Sequence, residues 1–194
     1  VKQQVFHAKA RKYVSSLECA VDANNVSSSV YHNLIDTVNR NLDKMHQYVS
    51  LRKKCLGVGE LHMYDIYTPM IADVAKKISF EEAKETVLKA LAPLGEDYVN
   101  KVKEGFENRW IDVYENQGKR SGAYSAGAYG CHPYVLLNYN GTLDDMFTLA
   151  HEMGHAMHSN YSNEAQPYIY AGYKIFVAEV ASCLLYTSPS PRDA

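Results

Sequence analysis

The most informative stretch of the sequence is residues 142–158, TLDDMFTLAHEMGHAMH. Thr142 and Asp145 have the spacing of a capping box, which predicts that a helix begins here. One face of that helix is predicted to be buried, because apolar side chains recur at helical spacing in Met146, Ala150, Met153 and Met157.

His151 and His155 complete the pattern His-Glu-x-x-His within this helix. Side chains at positions i and i+4 project from one face of a helix, so two imidazoles can bind one metal ion. Glu152 then lies beside the ion, which is typical of the general base of a zinc hydrolase. A catalytic zinc ion usually has three protein ligands and an open position for water, so a third ligand must come from elsewhere. We predict one zinc ion per chain.

Glu179 is the predicted third ligand. It lies in the helical stretch 175–182, IFVAEVAS, which contains no other acid. An isolated carboxylate among apolar residues is costly unless it is paired or binds a metal. Glu164 is the competing candidate, but it follows Ser162 and Asn163 in a polar turn, where we expect it to be solvated.

His158 extends the motif to a series of three histidines. On a continuous helix it rises about 10 Å above His151 at ~1.5 Å per residue. Zinc–nitrogen bonds are about 2 Å long, so one ion cannot readily reach all three imidazoles. We interpret His158 first as a packed polar residue, with a role in supporting the ligands or facing the substrate as the alternative.

Two segments rich in tyrosine precede the zinc helix. Residues 118–130, GKRSGAYSAGAYG, form a glycine-rich loop without the Gly-Lys-Ser/Thr ending of a phosphate loop. Residues 134–139, YVLLNY, are predicted to form an edge strand, to which a peptide could add as a further strand. The candidate substrate-binding residues are His132, Tyr134, Tyr139, Tyr124, Tyr129 and His158.

The remaining segments indicate helical scaffold. Residues 1–60 predict helices joined by a turn, with an apolar face formed by Val30, Leu34, Ile35, Val38, Leu42 and Met45. Ser79 and Glu82 predict a helix over 79–91, and another is expected over 96–107.

Composition excludes several classes of function. The 194 residues carry a formal net charge of −2, so nucleic acid and anionic membranes are not expected partners. No apolar run approaches the length of a transmembrane helix.

The chain begins with Val1, without an initiator Met or the apolar stretch of a signal peptide, and resembles the interior of a longer protein. Four widely spaced cysteines predict reduced thiols in the cytoplasm rather than a disulfide framework.

Several motifs together resemble oligoendopeptidase F, a family of zinc metallopeptidases related to thimet oligopeptidase. The resemblance covers about residues 1–182 and is most specific at 61–65 (LHMYD), 118–124 (GKRSGAY), 132–139 (HPYVLLNY), 149–155 (LAHEMGH) and 176–182 (FVAEVAS).

This resemblance implies a mainly α fold, with a zincin-type catalytic region and a small antiparallel sheet beside the active-site helix. It implies a cytoplasmic enzyme that hydrolyses short peptides in a deep channel. It also implies zinc ligation by His151, His155 and Glu179, with Glu152 as base. Another zinc hydrolase that uses a glutamate, or a non-catalytic helical peptide-binding fragment, are the alternatives.

The family is about three times longer than this chain, and its further transition-state donors follow the third ligand. Residues 1–186 are therefore interpreted as part of a larger catalytic domain, which we expect to lack full activity alone. Residues 187–194, TSPSPRDA, are interpreted as a non-native or disordered tail, because two prolines end a helix still in progress.

Overall fold

The computed structural model describes residues 1–70 and 77–187. The chain divides into two compact units, Val1–Val74 and Ala75–Ala194, whereas the sequence predicts no boundary within residues 1–186. From position 188 onward, the predicted tail lies outside the described residues. None of the helices in the described part of the chain is long and apolar enough to cross a bilayer.

The first unit is helical, as predicted. Its helices are α1 (Lys2–Ala10), α2 (Ser16–Asp22), α3 (Ser28–Arg40) and α4 (Leu42–Leu56), followed by a 3-10 turn at Met63–Asp65. The side chain of the buried Arg52 donates to the backbone carbonyls of Asp65 and Thr68, and so ties this turn to α4. The apolar face predicted on α3 and α4 is exposed within this unit; Leu34, for example, is 62% exposed.

The second unit contains the helix predicted to carry the His-Glu-x-x-His motif. Its helices are α5 (Phe80–Ala90), α6 (Glu96–Glu107), α7 (Leu143–Ala165), α8 (Tyr168–Ala171) and α9 (Ile175–Thr187). Thr142 and Asp145 form the predicted capping box, in which each side chain accepts the other's backbone N–H. Ser79 likewise accepts the backbone N–H of Glu82 at the start of α5. Both predicted helix starts are therefore confirmed.

A small sheet lies beside α7, but it is mixed rather than antiparallel. The strands β1 (Ile111–Asp112), β2 (Tyr124–Ala126) and β3 (Tyr134–Leu136) lie in the order β1-β3-β2. Strand β3 pairs antiparallel with β2 and parallel with β1. It is thus the central strand, and the prediction of an edge strand at 134–139 is wrong.

The parallel pairing explains this difference. The backbone N–H groups of Val135, Leu137 and Tyr139 donate to carbonyls in the segment 110–113 at 2.7, 2.8 and 2.9 Å. The 134–139 run is therefore paired along its whole length with a segment that the sequence did not identify as a strand. Parallel partners are brought together by distant parts of the chain, so no local turn signal marks them.

Helix α7 supplies the centre of the core. Leu149, Met153 and Met157 are completely buried, and Met146 and Ala150 are partly buried, which confirms the predicted apolar face. Burying one such Leu or Met side chain contributes roughly 1.5–3 kcal/mol. Helices α5, α6 and α9 and the sheet all contact α7. These contacts hold α7 in place and so fix the position of His151 and His155 on its less buried face.

Candidate metal centre

Helix α7 presents His151 and His155 on one face, one turn apart. Their ring centroids are 4.8 Å apart and the ring planes are perpendicular. The side chains are 28% and 19% exposed, so both imidazoles remain accessible. The predicted juxtaposition of the two histidines is therefore present.

Helix α9 brings Glu179 to the same place. Its Oε2 lies 3.8 Å from Nε2 of His151 and 3.9 Å from Nε2 of His155. The sequence argument expects Glu179 to be buried among apolar residues, but its side chain is 50% exposed. Its position follows instead from the packing of α9 on α7, in which α9 buries Ala178 and Ser182.

The three donors suit a zinc ion in chemistry. Two imidazoles and one carboxylate are the protein ligands of one class of catalytic zinc site. The ligand atoms of His151, His155 and Glu179 all lie within 4.8 Å of one another. Tetrahedral zinc with bonds of about 2.0–2.2 Å holds its ligand atoms about 3.3 Å apart, so these side chains would draw together by roughly 0.5–1.5 Å.

Glu152 is buried beside this cluster, with 7% of the residue exposed. Its carboxylate accepts a hydrogen bond from the backbone N–H of Ser125 in β2. Burial raises the pKa of Glu152, and Glu179 adds to the rise, whereas His151 and the Ser125 N–H lower it. The net rise moves this carboxylate toward the range in which a general base works near neutral pH.

Burial also shifts the pKa of His155, in the opposite direction to that of Glu152. It lowers the pKa of the imidazole, as does His151, while Glu179 partly opposes the shift. A metal binds the neutral form of imidazole. The surroundings of His155 therefore favour the form that can act as a ligand.

The two competing ligand candidates lie outside this cluster. The Glu164 carboxylate accepts a hydrogen bond from Asn160 Nδ2 at 2.8 Å and lies 3.8 Å from Lys101 Nζ. The His158 ring stacks on Tyr173. Among the described residues, the group that could hold a metal includes neither Glu164 nor His158.

Three of the predicted substrate-binding residues lie on or next to the sheet. Tyr124 in β2 and Tyr134 in β3 are 51% and 54% exposed. His132 stacks on Trp110, with ring centroids 5.1 Å apart and planes 2° from parallel, and its other neighbour is Tyr134 at 4.4 Å. These three side chains remain candidates for contact with a ligand.

The other two tyrosines, Tyr129 and Tyr139, each donate a hydrogen bond to a distant backbone carbonyl. The Tyr129 hydroxyl donates to the carbonyl of Gln166 at 3.0 Å and so anchors the glycine-rich loop to the end of α7. Tyr139 is only 6% exposed, and its hydroxyl donates to the carbonyl of Ile78 at 3.0 Å. Tyr139 belongs to the core and also lines the cavity beside the first half of α7, so its contact with substrate stays a prediction.

Ser125 and Asn138 shape the site but were missed in the sequence. Ser125 holds Glu152 through its backbone, and Asn138 Nδ2 donates to the carbonyls of Arg120 and Gly122 at 2.9 and 2.8 Å. The alternation Tyr124-Ser125-Ala126 is a weak strand signal within the glycine-rich loop. A backbone N–H has no sequence signature, so its contact with Glu152 could not be predicted.

A cavity of about 460 Å³ adjoins the first half of α7. Asp144 and Thr148 line it, and helical periodicity places both on the face that carries His151 and His155. The glycine-rich loop and the end of the 134–139 run form the other walls. The lining of this cavity does not include His151, His155 or Glu179.

Comparison with known proteins places the chain among peptidases. The sequence model described as Peptidase family M3 matches residues 1–186. Oligopeptidase PepF of Bacillus subtilis is 53% identical over 182 residues, which is 94% of this chain and 27% of that protein. The chromosomal oligoendopeptidase F of Lactococcus lactis subsp. cremoris is 48% identical over 94% of this chain and 30% of its own length. The chain thus spans about 30% of the curated relatives it matches.

Solved structures agree with this placement. A crystal structure described as a peptidase from Chlamydophila abortus has 46% sequence identity and a TM-score of 0.77, over 95% of this chain and 31% of that one. An oligoendopeptidase F structure from Bacillus anthracis superposes with a TM-score of 0.80 over 95% of this chain and 35% of that one, at 18% identity, and supports the fold alone.

Proposed function

Because this chain belongs to peptidase family M3, we propose that it forms the metal-binding part of a zinc-dependent oligopeptidase that hydrolyses short peptides. The observation that carries the proposal is the convergence of His151, His155 and Glu179 within 4.8 Å. The names of the relatives as oligopeptidases and oligoendopeptidases support the substrate class. The cytoplasmic location implied by the resemblance remains a prediction.

The imidazoles of His151 and His155 and the carboxylate of Glu179 would hold one zinc ion. When bound at such a site, zinc lowers the pKa of a coordinated water to about 7 and polarises a carbonyl group. With two neutral imidazoles and one carboxylate as ligands, the site keeps a net positive charge. That charge favours the negative oxygen that develops during attack on a peptide bond.

Glu152 would act as the general base. Its carboxylate takes the proton of the attacking water and then passes it to the amine of the departing product. The Ser125 backbone favours the charged form of this carboxylate, whereas burial raises its pKa by more, which strengthens it as a base. Glu152 follows His151 directly in α7, so the base and two of the three proposed ligands would share one helix, while Glu179 comes from α9.

Strand β2 would align the substrate. It is the outer strand next to β3 among the described residues, and it contacts α7. An extended peptide that adds to this edge would bind mainly through its backbone, which suits cleavage of many sequences. This replaces the role predicted for the 134–139 run, because β3 is already paired on both sides.

The test is the variant Glu152→Gln in the full-length protein that carries this segment. We expect a loss of turnover of about 10²–10⁴-fold against a quenched peptide, because the amide cannot accept a proton. Zinc content should stay near one per chain, since Glu152 is not a ligand. Glu164→Gln is the matched control and should retain both. Normal turnover in Glu152→Gln, or an unmodified protein that is active without zinc, would contradict the proposal.

A further inference from the structure

A second set of contacts joins α7 to α9 one turn beyond the histidine pair. The imidazole of His158 stacks on the ring of Tyr173, with centroids 3.7 Å apart and planes 16° from parallel. Tyr173 lies in the short connection between α8 and α9, two residues before α9 begins. The stack therefore pins the start of α9 to α7.

Two hydrogen bonds hold the same connection. The hydroxyl of Tyr173 and Oγ of Ser159 lie 2.6 Å apart. Ser162 Oγ donates to the carbonyl of Ala171, also at 2.6 Å. His158, Ser159 and Ser162 of α7 thus contact residues 171 and 173, so the segment that leads into α9 is held at more than one point.

The contact that His158 makes with Tyr173 is through its ring rather than through Nδ1. Nδ1 is buried and has no hydrogen-bond partner among the described residues. His158 also lies outside the group of possible metal ligands in the described part of the chain. A planar ring that fills the space against Tyr173 is therefore what this position requires.

The position of Glu179 depends on where α9 starts. Glu179 lies about one turn into α9, and a helix transmits a shift of its first residue to the next turn almost unchanged. Its Oε2 is 3.8–3.9 Å from the two histidine nitrogens, so a displacement of 1 Å would be large on the scale of the site.

We propose that His158, Tyr173 and Ser159 form a clamp that positions the Glu179 carboxylate opposite His151 and His155. These are positioning residues that act through α9 and do not themselves touch the metal or the substrate. The inference rests on the proposed function, because it takes Glu179 to be a metal ligand.

The test measures Co²⁺ binding by visible absorption, together with the denaturant stability of the metal-free, full-length protein. His158→Ala should weaken Co²⁺ binding about tenfold or more, the range seen when groups that orient metal ligands are removed. His158→Phe retains a ring and should bind Co²⁺ within about threefold of the unmodified protein. Tyr173→Phe and Ser159→Ala each remove the same hydrogen bond and should have equal effects, about two- to tenfold.

Tyr161→Ala is the matched control. Tyr161 is also on α7, but it stacks on Tyr98 of α6, with centroids 6.0 Å apart. This variant should lower the stability of the metal-free protein and leave the Co²⁺ affinity unchanged.

Three outcomes would overturn the clamp alone. These are unchanged Co²⁺ affinity in His158→Ala, a loss in His158→Phe as large as in His158→Ala, or an equal loss in Tyr161→Ala. Failure of the unmodified protein to bind Co²⁺ would refute the metal centre itself, and the clamp with it.

Discussion

Removal of the Glu179 carboxylate gives the sharpest test of the metal centre. In Glu179→Ala, two imidazoles remain and the third donor is lost. Loss of a group that merely orients a ligand costs 10–100-fold in metal affinity, so loss of a ligand should cost at least about 100-fold, or about 2.7 kcal/mol.

The structure also predicts the effect of a shorter acid. Glu179→Asp keeps the charge but withdraws the carboxylate by about one carbon–carbon bond, ~1.5 Å. Because Oε2 is already 3.8 Å from His151 Nε2 and 3.9 Å from His155 Nε2, the aspartate oxygen would lie too far from both to share an ion. Glu179→Asp should therefore bind zinc nearly as weakly as Glu179→Ala.

The assay is competition for zinc against a chelator, followed by thermal or denaturant unfolding in the presence of zinc. At a zinc concentration 100 times the Kd of the unmodified protein, binding adds about 2.7 kcal/mol to its stability. A variant with a 100-fold higher Kd gains only about 0.4 kcal/mol at the same concentration. Glu164→Ala serves as control and should match the unmodified protein. A Kd for Glu179→Ala within threefold of the unmodified protein would refute the assignment.

Three further predictions concern the core and the base. Met153→Ala should lower the free energy of unfolding by about 2–5 kcal/mol in denaturant titration, and clearly more than Met146→Ala, because Met153 is completely buried; equal losses would contradict this. Tyr139→Phe should cost about 1 kcal/mol through the lost bond to Ile78, without a change in KM, whereas a raised KM would support a role in substrate binding. Burial raises the pKa of Glu152 above 4.5, so the metal-free folded state holds a proton that the unfolded state releases. As the pH rises from 4.5 through the folded-state pKa of Glu152, the free energy of unfolding of the unmodified protein should therefore fall relative to that of Glu152→Gln. Denaturant titrations at several pH values measure this difference, and a relative rise would refute the prediction.

Local signals in the sequence were sufficient to predict helix α7 and the placement of its two histidines on one face. The capping box of Thr142 and Asp145 involves residues three apart, so it does not depend on the rest of the fold. The spacing of His151 and His155 needs only a helix to place both on one face. These features are confirmed because each is specified within one or two helical turns.

Features that depend on partners distant in sequence are harder to predict. The pairing of β3 is predicted wrongly, and Glu179 is predicted from a burial that the structure does not have. Strand β3 is central because the segment 110–113 pairs with it, and no turn joins the two. Tyr139 is buried because its side chain packs against Phe80 and donates to the carbonyl of Ile78, both about 60 residues away in sequence. Glu179 was singled out as a carboxylate stranded among apolar residues, yet it is half exposed and is placed by α9. Burial of a single residue cannot be deduced from its sequence neighbours when another helix decides it.

The positions of the three proposed ligands along the chain also determine how a bound metal would affect the stability of the region between them. His151 and His155 share α7, whereas Glu179 is reached only through α8 and the connection that follows it. A metal bound by all three would cross-link the chain and close a loop of about 25 residues, as a disulfide would. Unlike a disulfide, the ion is released when the chain unfolds, so it stabilises the closed loop only through its binding free energy. Metal occupancy should therefore make the segment from α8 to α9 resistant to proteolytic nicking, so that an ion bound for chemistry would also protect the chain from digestion.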